Sequence, residues 1–170
     1  MFIVKSYLKR PSIKINSLQN LNQYPENYFV DINDHKSINE IKNKIDANNI
    51  EGVLYLEYYN TVIMGYTYWD VIDDLWAYIA DLIEDCLQNG ESKIGFPDQP
   101  ITLRLKSINR ELVSFSIESS NGIKMTFPKK ELFATLLESG EIFFLRLQEY
   151  MGLDYRIEID KFRTLKKLIE

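Results

Sequence analysis

The chain has 170 residues, 45% of them apolar and 13% aromatic, enough for a single domain over 1–170 with its own core and too much for a disordered chain. The formal charge is −5, which argues against direct nucleic-acid binding, and one cysteine, Cys86, excludes an internal disulfide. The three apolar residues between Met1 and Lys5 are too few for a signal-peptide core, and the longest uncharged run, Tyr58 to Trp69, is too short to span a bilayer, so a soluble cytoplasmic protein without membrane contact is expected.

Taken in chain order, Met1 to Leu8 reads as a strand, and the Asn/Gln-rich stretch Ser17 to Asn27 as loop. Ser37 and Glu40 make a capping-box pattern ahead of Ile38, Ile41 and Ile45, which predicts a short amphipathic helix. Val53 to Tyr59 and Thr61 to Tyr66 are β-branched and aromatic with Asn60 between them, the pattern of a strand pair. Tyr68 to Asn89 follows as the longest helix, closed by Gly90, and Phe96-Pro97-Asp98-Gln99-Pro100 as a rigid turn.

Beyond that turn the apolar residues recur with period two. Ile101, Leu103 and Leu105, then Val113, Phe115 and Ile117, then Ile123, Met125 and Phe127 define three half-buried strands. Asn121-Gly122 suits a type I′ hairpin between the last two. Pro128 opens a helix to Glu138 that Ser139-Gly140 stops, and a second helix runs from Glu141 to Tyr150. Tyr155 to Ile159 reads as a strand and Lys161 to Glu170 as a basic terminal helix. The expected class is α+β: an antiparallel sheet, made of a hairpin plus a three-stranded meander, packed on the long amphipathic helix and on two or more C-terminal helices.

Charge is segregated along this chain. Between Lys44 and Lys93 there is no Lys, Arg or His but there are ten acids, whereas elsewhere twenty bases outnumber the remaining fifteen acids. On a helix from Tyr68, the side chains of Asp73, Asp74, Asp81, Glu84 and Asp85 fall within about 60° of Asp70. Trp69, Ile72, Leu75, Trp76, Ile79, Leu82, Ile83, Cys86 and Leu87 fill the opposite, core-facing arc. Like charges three and four residues apart repel by about 0.2–0.5 kcal/mol per pair, and no base on this helix relieves them. A solvated face is the plain explanation. The functional one is that Asp70, Asp73, Asp74, Asp81, Glu84 and Asp85 bind a protein partner with a basic surface, with Tyr58 and Tyr66 as aromatic anchors.

Chemistry finds little support. The sole histidine, His35, lies in a polar stretch without a recognisable triad, and Cys86 falls on the apolar arc. One His and one Cys cannot build a zinc site, and Asp70, Asp73 and Asp74 depart in order from an aspartate-rich magnesium motif. The seven glycines form no phosphate-binding loop. No catalytic residue, cofactor or metal is therefore expected. The alternatives to a binding protein are a small enzyme or ligand-binding domain that uses carboxylates and tyrosines beside the sheet, and a subunit that self-associates through aromatic surface.

Tyr68-Trp69-Asp70-Val71-Ile72-Asp73-Asp74-Leu75-Trp76-Ala77-Tyr78, with Gly90 and Phe96-Pro97-Asp98-Gln99-Pro100-Ile101, resembles a pattern in small bacterial proteins, some of them immunity partners of polymorphic or contact-dependent toxins. The resemblance covers about 50 residues of 170 and carries no mechanistic motif. It implies a non-catalytic, cytosolic, single-domain protein that neutralises a toxin by covering its working surface. Against a nuclease toxin, an acidic helix would compete with the phosphate backbone for cationic surface.

Overall fold

The computed structural model describes residues 1–170 and has an α+β fold in which the strands form two antiparallel sheets rather than one. The first sheet contains β1 (Phe2–Lys9), β2 (Phe29–Asp31), β3 (Glu51–Tyr58) and β4 (Thr61–Met64) in the order β2-β1-β3-β4, with the two-residue β5 (Asp70–Val71) also paired to β3. The expected hairpin is β3–β4. Its turn residues Tyr59 and Asn60 have φ of 45° and 63°, the left-handed pair that a two-residue hairpin needs to follow the strand twist.

The second sheet is β6 (Glu91–Gly95), β7 (Thr102–Ser107), β8 (Leu112–Glu118) and β9 (Ile123–Pro128), in chain order. It contains the expected meander, plus β6, which sequence reading missed because only Ile94 in Glu91–Gly95 is strongly apolar. The β8–β9 connection is not the type I′ turn expected at Asn121-Gly122. Neither residue has positive φ, and the Gly122 amide donates to Ser119 O across a longer loop set by the Ile117–Ile123 pairing.

Three long helices complete the fold: α3 (Ile72–Asn89), α4 (Lys129–Met151) and α5 (Arg156–Ile169). The longest is α4, not α3. The helix expected from Tyr68 starts at Ile72, because Tyr66–Tyr68 is a 3-10 turn and Asp70–Val71 pairs with β3. Gly90, at φ 79°, closes α3 as predicted.

At Gly140 the helix was expected to stop, yet α4 runs straight through it. A Cβ there would lie 2.2 Å from Phe162 Cε1, so the missing side chain is the notch that seats the α5 ring. The residues read as a strand, Tyr155 to Ile159, instead begin α5, whose Ile159, Phe162 and Leu165 are buried at helical spacing.

Smaller elements also differ from expectation. Ser17 to Asn27 holds the short helix α1 (Leu18–Gln23) and a 3-10 turn at Pro25–Asn27, with Leu21 fully buried. The next helix, α2 (His35–Ile41), is capped by Asp34, whose carboxylate accepts from the Ser37 amide and hydroxyl, so Ser37 is the capped residue and not the cap.

One buried cluster of 37 residues joins both sheets to α3, α4 and α5. Trp76 of α3, fully buried, donates from its indole to Ser6 Oγ on the inner face of β1. By strand alternation Tyr7 faces the other way, where a second cluster of Leu21, Phe29 and Val53 is bordered by Tyr7, Tyr55, Tyr66 and Trp69. Trp69 therefore does not extend the apolar arc of α3.

Candidate partner-binding face

The six acids of the sequence pattern occupy four different environments. Asp70 is 2% exposed and lies in β5, off the helical face to which it was assigned. Its carboxylate accepts from the amides of Val71, Asp98 and Gln99, while the Gln99 side-chain amide donates to Trp69 O and Thr67 O. Asp70 is thus the clamp on the Phe96–Pro100 turn. The segments Tyr68–Tyr78 and Phe96–Ile101, apart in sequence, are joined through it in one structural unit.

Asp73 lies in the first turn of α3 and is half-buried. Its Oδ1 is enclosed without a partner, and its Oδ2 is 3.5 Å from the Tyr155 hydroxyl. Burial first, and the adjacent Asp74 carboxylate second, push the Asp73 carboxyl above its ordinary range. Burial and Asp73 in turn raise the Tyr155 phenol.

Asp81 and Glu84 are not left to repel their neighbours. Lys161 of α5 lies between them, ion-paired to Asp81 and 2.8 Å from Glu84. Burial would lower the Lys161 ammonium, but the two carboxylates hold it above its usual value. The base missing from α3 is thus supplied from a helix 80 residues away. The same holds across the acidic block, where Lys9 pairs with Glu51 at 3.2 Å and Arg104 with Glu91 at 2.9 Å. Four of the ten acids of the block are thus complemented within the fold by bases from outside it.

Asp74 and Asp85 remain, both exposed and without an ion-pair partner in the protein. Together with Asp81 they lie along the solvent side of α3 at spacings of seven and four residues, so Asp74 and Asp85 are separated by about 16 Å along the helix. Tyr78 stands between Asp74 and Asp81 on the same stripe and is 38% exposed. The expected aromatic anchors are elsewhere. Tyr58 packs among Phe2, Tyr59 and Phe127, and Tyr66 stacks on Phe29 across the first sheet from α3. Tyr78 was missed as an exposed aromatic because it follows Trp76 and Ala77 in an apolar-looking run; its place four residues after Asp74 was the available signal.

Cys86 is buried. His35 caps a hydrogen-bond chain, its Nδ1 2.7 Å from the Tyr150 hydroxyl, which donates to Ile32 O. No three His, Cys, Asp or Glu side chains converge as a metal site, and no helix is long and apolar enough to cross a membrane. Comparison with protein families, curated proteins and solved structures finds no match to the chain.

Proposed function

We propose that this is a non-catalytic protein-binding domain that docks the exposed side of α3 on a basic partner, as an immunity protein covers a nuclease toxin. The observation that carries the reading is the stripe Asp74–Tyr78–Asp81–Asp85: two carboxylates without an internal counter-ion, one shared with Lys161, and an exposed aromatic among them. Charge of one sign along a helix speeds capture of an oppositely charged surface, and a tyrosine in its midst supplies the apolar contact that such interfaces concentrate in a few residues. Asp70, which clamps a turn, and Asp73, which faces Tyr155, do not belong to the docking set.

The test is co-expression with the product of the adjacent reading frame. The two proteins co-purify and the toxicity of that product is suppressed. Co-expression that leaves both unassociated, or toxicity unrelieved, contradicts the proposal.

A second reading, a small enzyme that uses a carboxylate and a tyrosine, rests on Asp73 and Tyr155, where a raised carboxyl meets a raised phenol. The two readings separate cleanly, since the enzyme would lose its activity on Asp73→Asn while partner capture would be unchanged.

A further inference from the structure

A cavity of about 460 Å³ opens where α1, the Tyr66–Tyr68 turn, the Gln99–Ile101 segment and the β8–β9 loop meet. Its eleven lining residues include no ionised group, in a chain 26% of whose residues are charged. Each of the other four sizeable cavities is lined by charges, among them Lys166, Arg10, Lys44 and Arg104. The polar groups here are carboxamides, from Gln19, Asn22, Gln99 and Asn121, and hydroxyls, from Thr67 and the two serines of the β8–β9 loop. The apolar surface comes from Tyr68, Pro100 and Ile101, and from Leu18, which is 59% exposed at the rim.

From this composition we infer that the cavity binds an uncharged saccharide. A sugar hydroxyl both donates and accepts, and a carboxamide offers a carbonyl and an NH₂ side by side, so vicinal hydroxyls pair with amides without desolvating a charge. The carbon-bound hydrogens of a pyranose face are apolar and match an aromatic ring. The volume suits a mono- or disaccharide.

The floor is already organised. The Asp70 carboxylate holds the Asp98 and Gln99 amides, and the Gln99 side chain is fixed by its bonds to Thr67 O and Trp69 O. Around this fixed floor, the exposed side chains of Gln19, Asn22 and Asn121 form no hydrogen bond within the protein, so they are free to turn onto a ligand. The fixed Gln99 floor loses little entropy when the site is filled, whereas the three free carboxamides are ordered on binding. This inference goes beyond the docking reading and uses none of the α3 carboxylates.

The experiment is amide-resolved NMR titration of the full chain with glucose, galactose, mannose, N-acetylglucosamine, maltose and cellobiose, and with glucuronate as the charged control. At least one neutral sugar shifts the amides of Thr67, Tyr68, Gln99 and Asn121 saturably, more strongly than glucuronate and without dependence on salt. The exposed pair Asn22→Ala and Asn121→Ala, with the rest of the spectrum unmoved, weakens that binding roughly tenfold, as loss of two hydrogen bonds should. No saturable shift at tens of millimolar, shifts located elsewhere, or unchanged affinity in the double variant overturns the assignment. A free sugar and the end of a glycan chain are told apart by whether the monosaccharide alone saturates the site.

Discussion

Gly140 and Asp70 carry more of the structure than their residue types announce. Ser139-Gly140 reads as an ordinary helix stop, and here the glycine is a socket. The sign of one substitution distinguishes the two roles: at an exposed mid-helix site Gly140→Ala would stabilise by about 1 kcal/mol, whereas against the Phe162 ring it should destabilise by about 1–3 kcal/mol in denaturant unfolding. Asp73 makes the second residue-scale prediction. Its carboxyl is raised in the folded state, so the folded chain holds that proton more tightly than the unfolded one, and the resulting stability is complete below the ordinary carboxylate pKa and disappears as pH rises through the folded value. Asp73→Asn removes this dependence. Thermal unfolding from mildly acidic to neutral pH should show the variant gaining on the parent as pH rises; parallel curves would mean that burial of Oδ1 carries no penalty.

At the scale of elements, α5 is both a core helix and the counter-ion of α3. Its apolar side fills the Gly140 notch while Lys161 reaches Asp81 and Glu84, and Arg163 and Lys166 reach Glu141 of α4. Burial alone would raise the Glu141 carboxyl, but these two bases hold it below its ordinary value. Lys161→Ala should cost less than about 1 kcal/mol, because its partners are largely solvated. Its larger effect is to restore negative charge on the solvent side of α3, so under the proposed docking association with a basic partner should accelerate in stopped-flow measurements. Unchanged rates would place the docking surface elsewhere.

The local patterns behind most elements were legible: period-two alternation marked β7, β8 and β9, and the apolar arc of Ile72 to Cys86 marked α3. What escaped reading depended on contacts distant in sequence. Nothing near Gly140 announces Phe162, nothing near Asp81 announces Lys161, and Asp70 looks like one more acid of the stripe until the turn at Asp98 folds onto it.

Across the whole molecule, folding brings bases to four of the ten acids of the block, Glu51, Asp81, Glu84 and Glu91, and leaves Asp74 and Asp85 unpaired on the solvent side of α3. A long-range field from such charges acts on the rate of encounter and is screened within about 10 Å at 0.1 M salt. The central claim is therefore tested most directly by the association rate of the purified protein with the product of the adjacent reading frame, measured against ionic strength for the parent and for Asp74→Lys/Asp85→Lys. The docking account predicts a parent rate that falls steeply with salt and a variant that associates more slowly with a flattened salt dependence. Equal rates and equal slopes for the two proteins would contradict it.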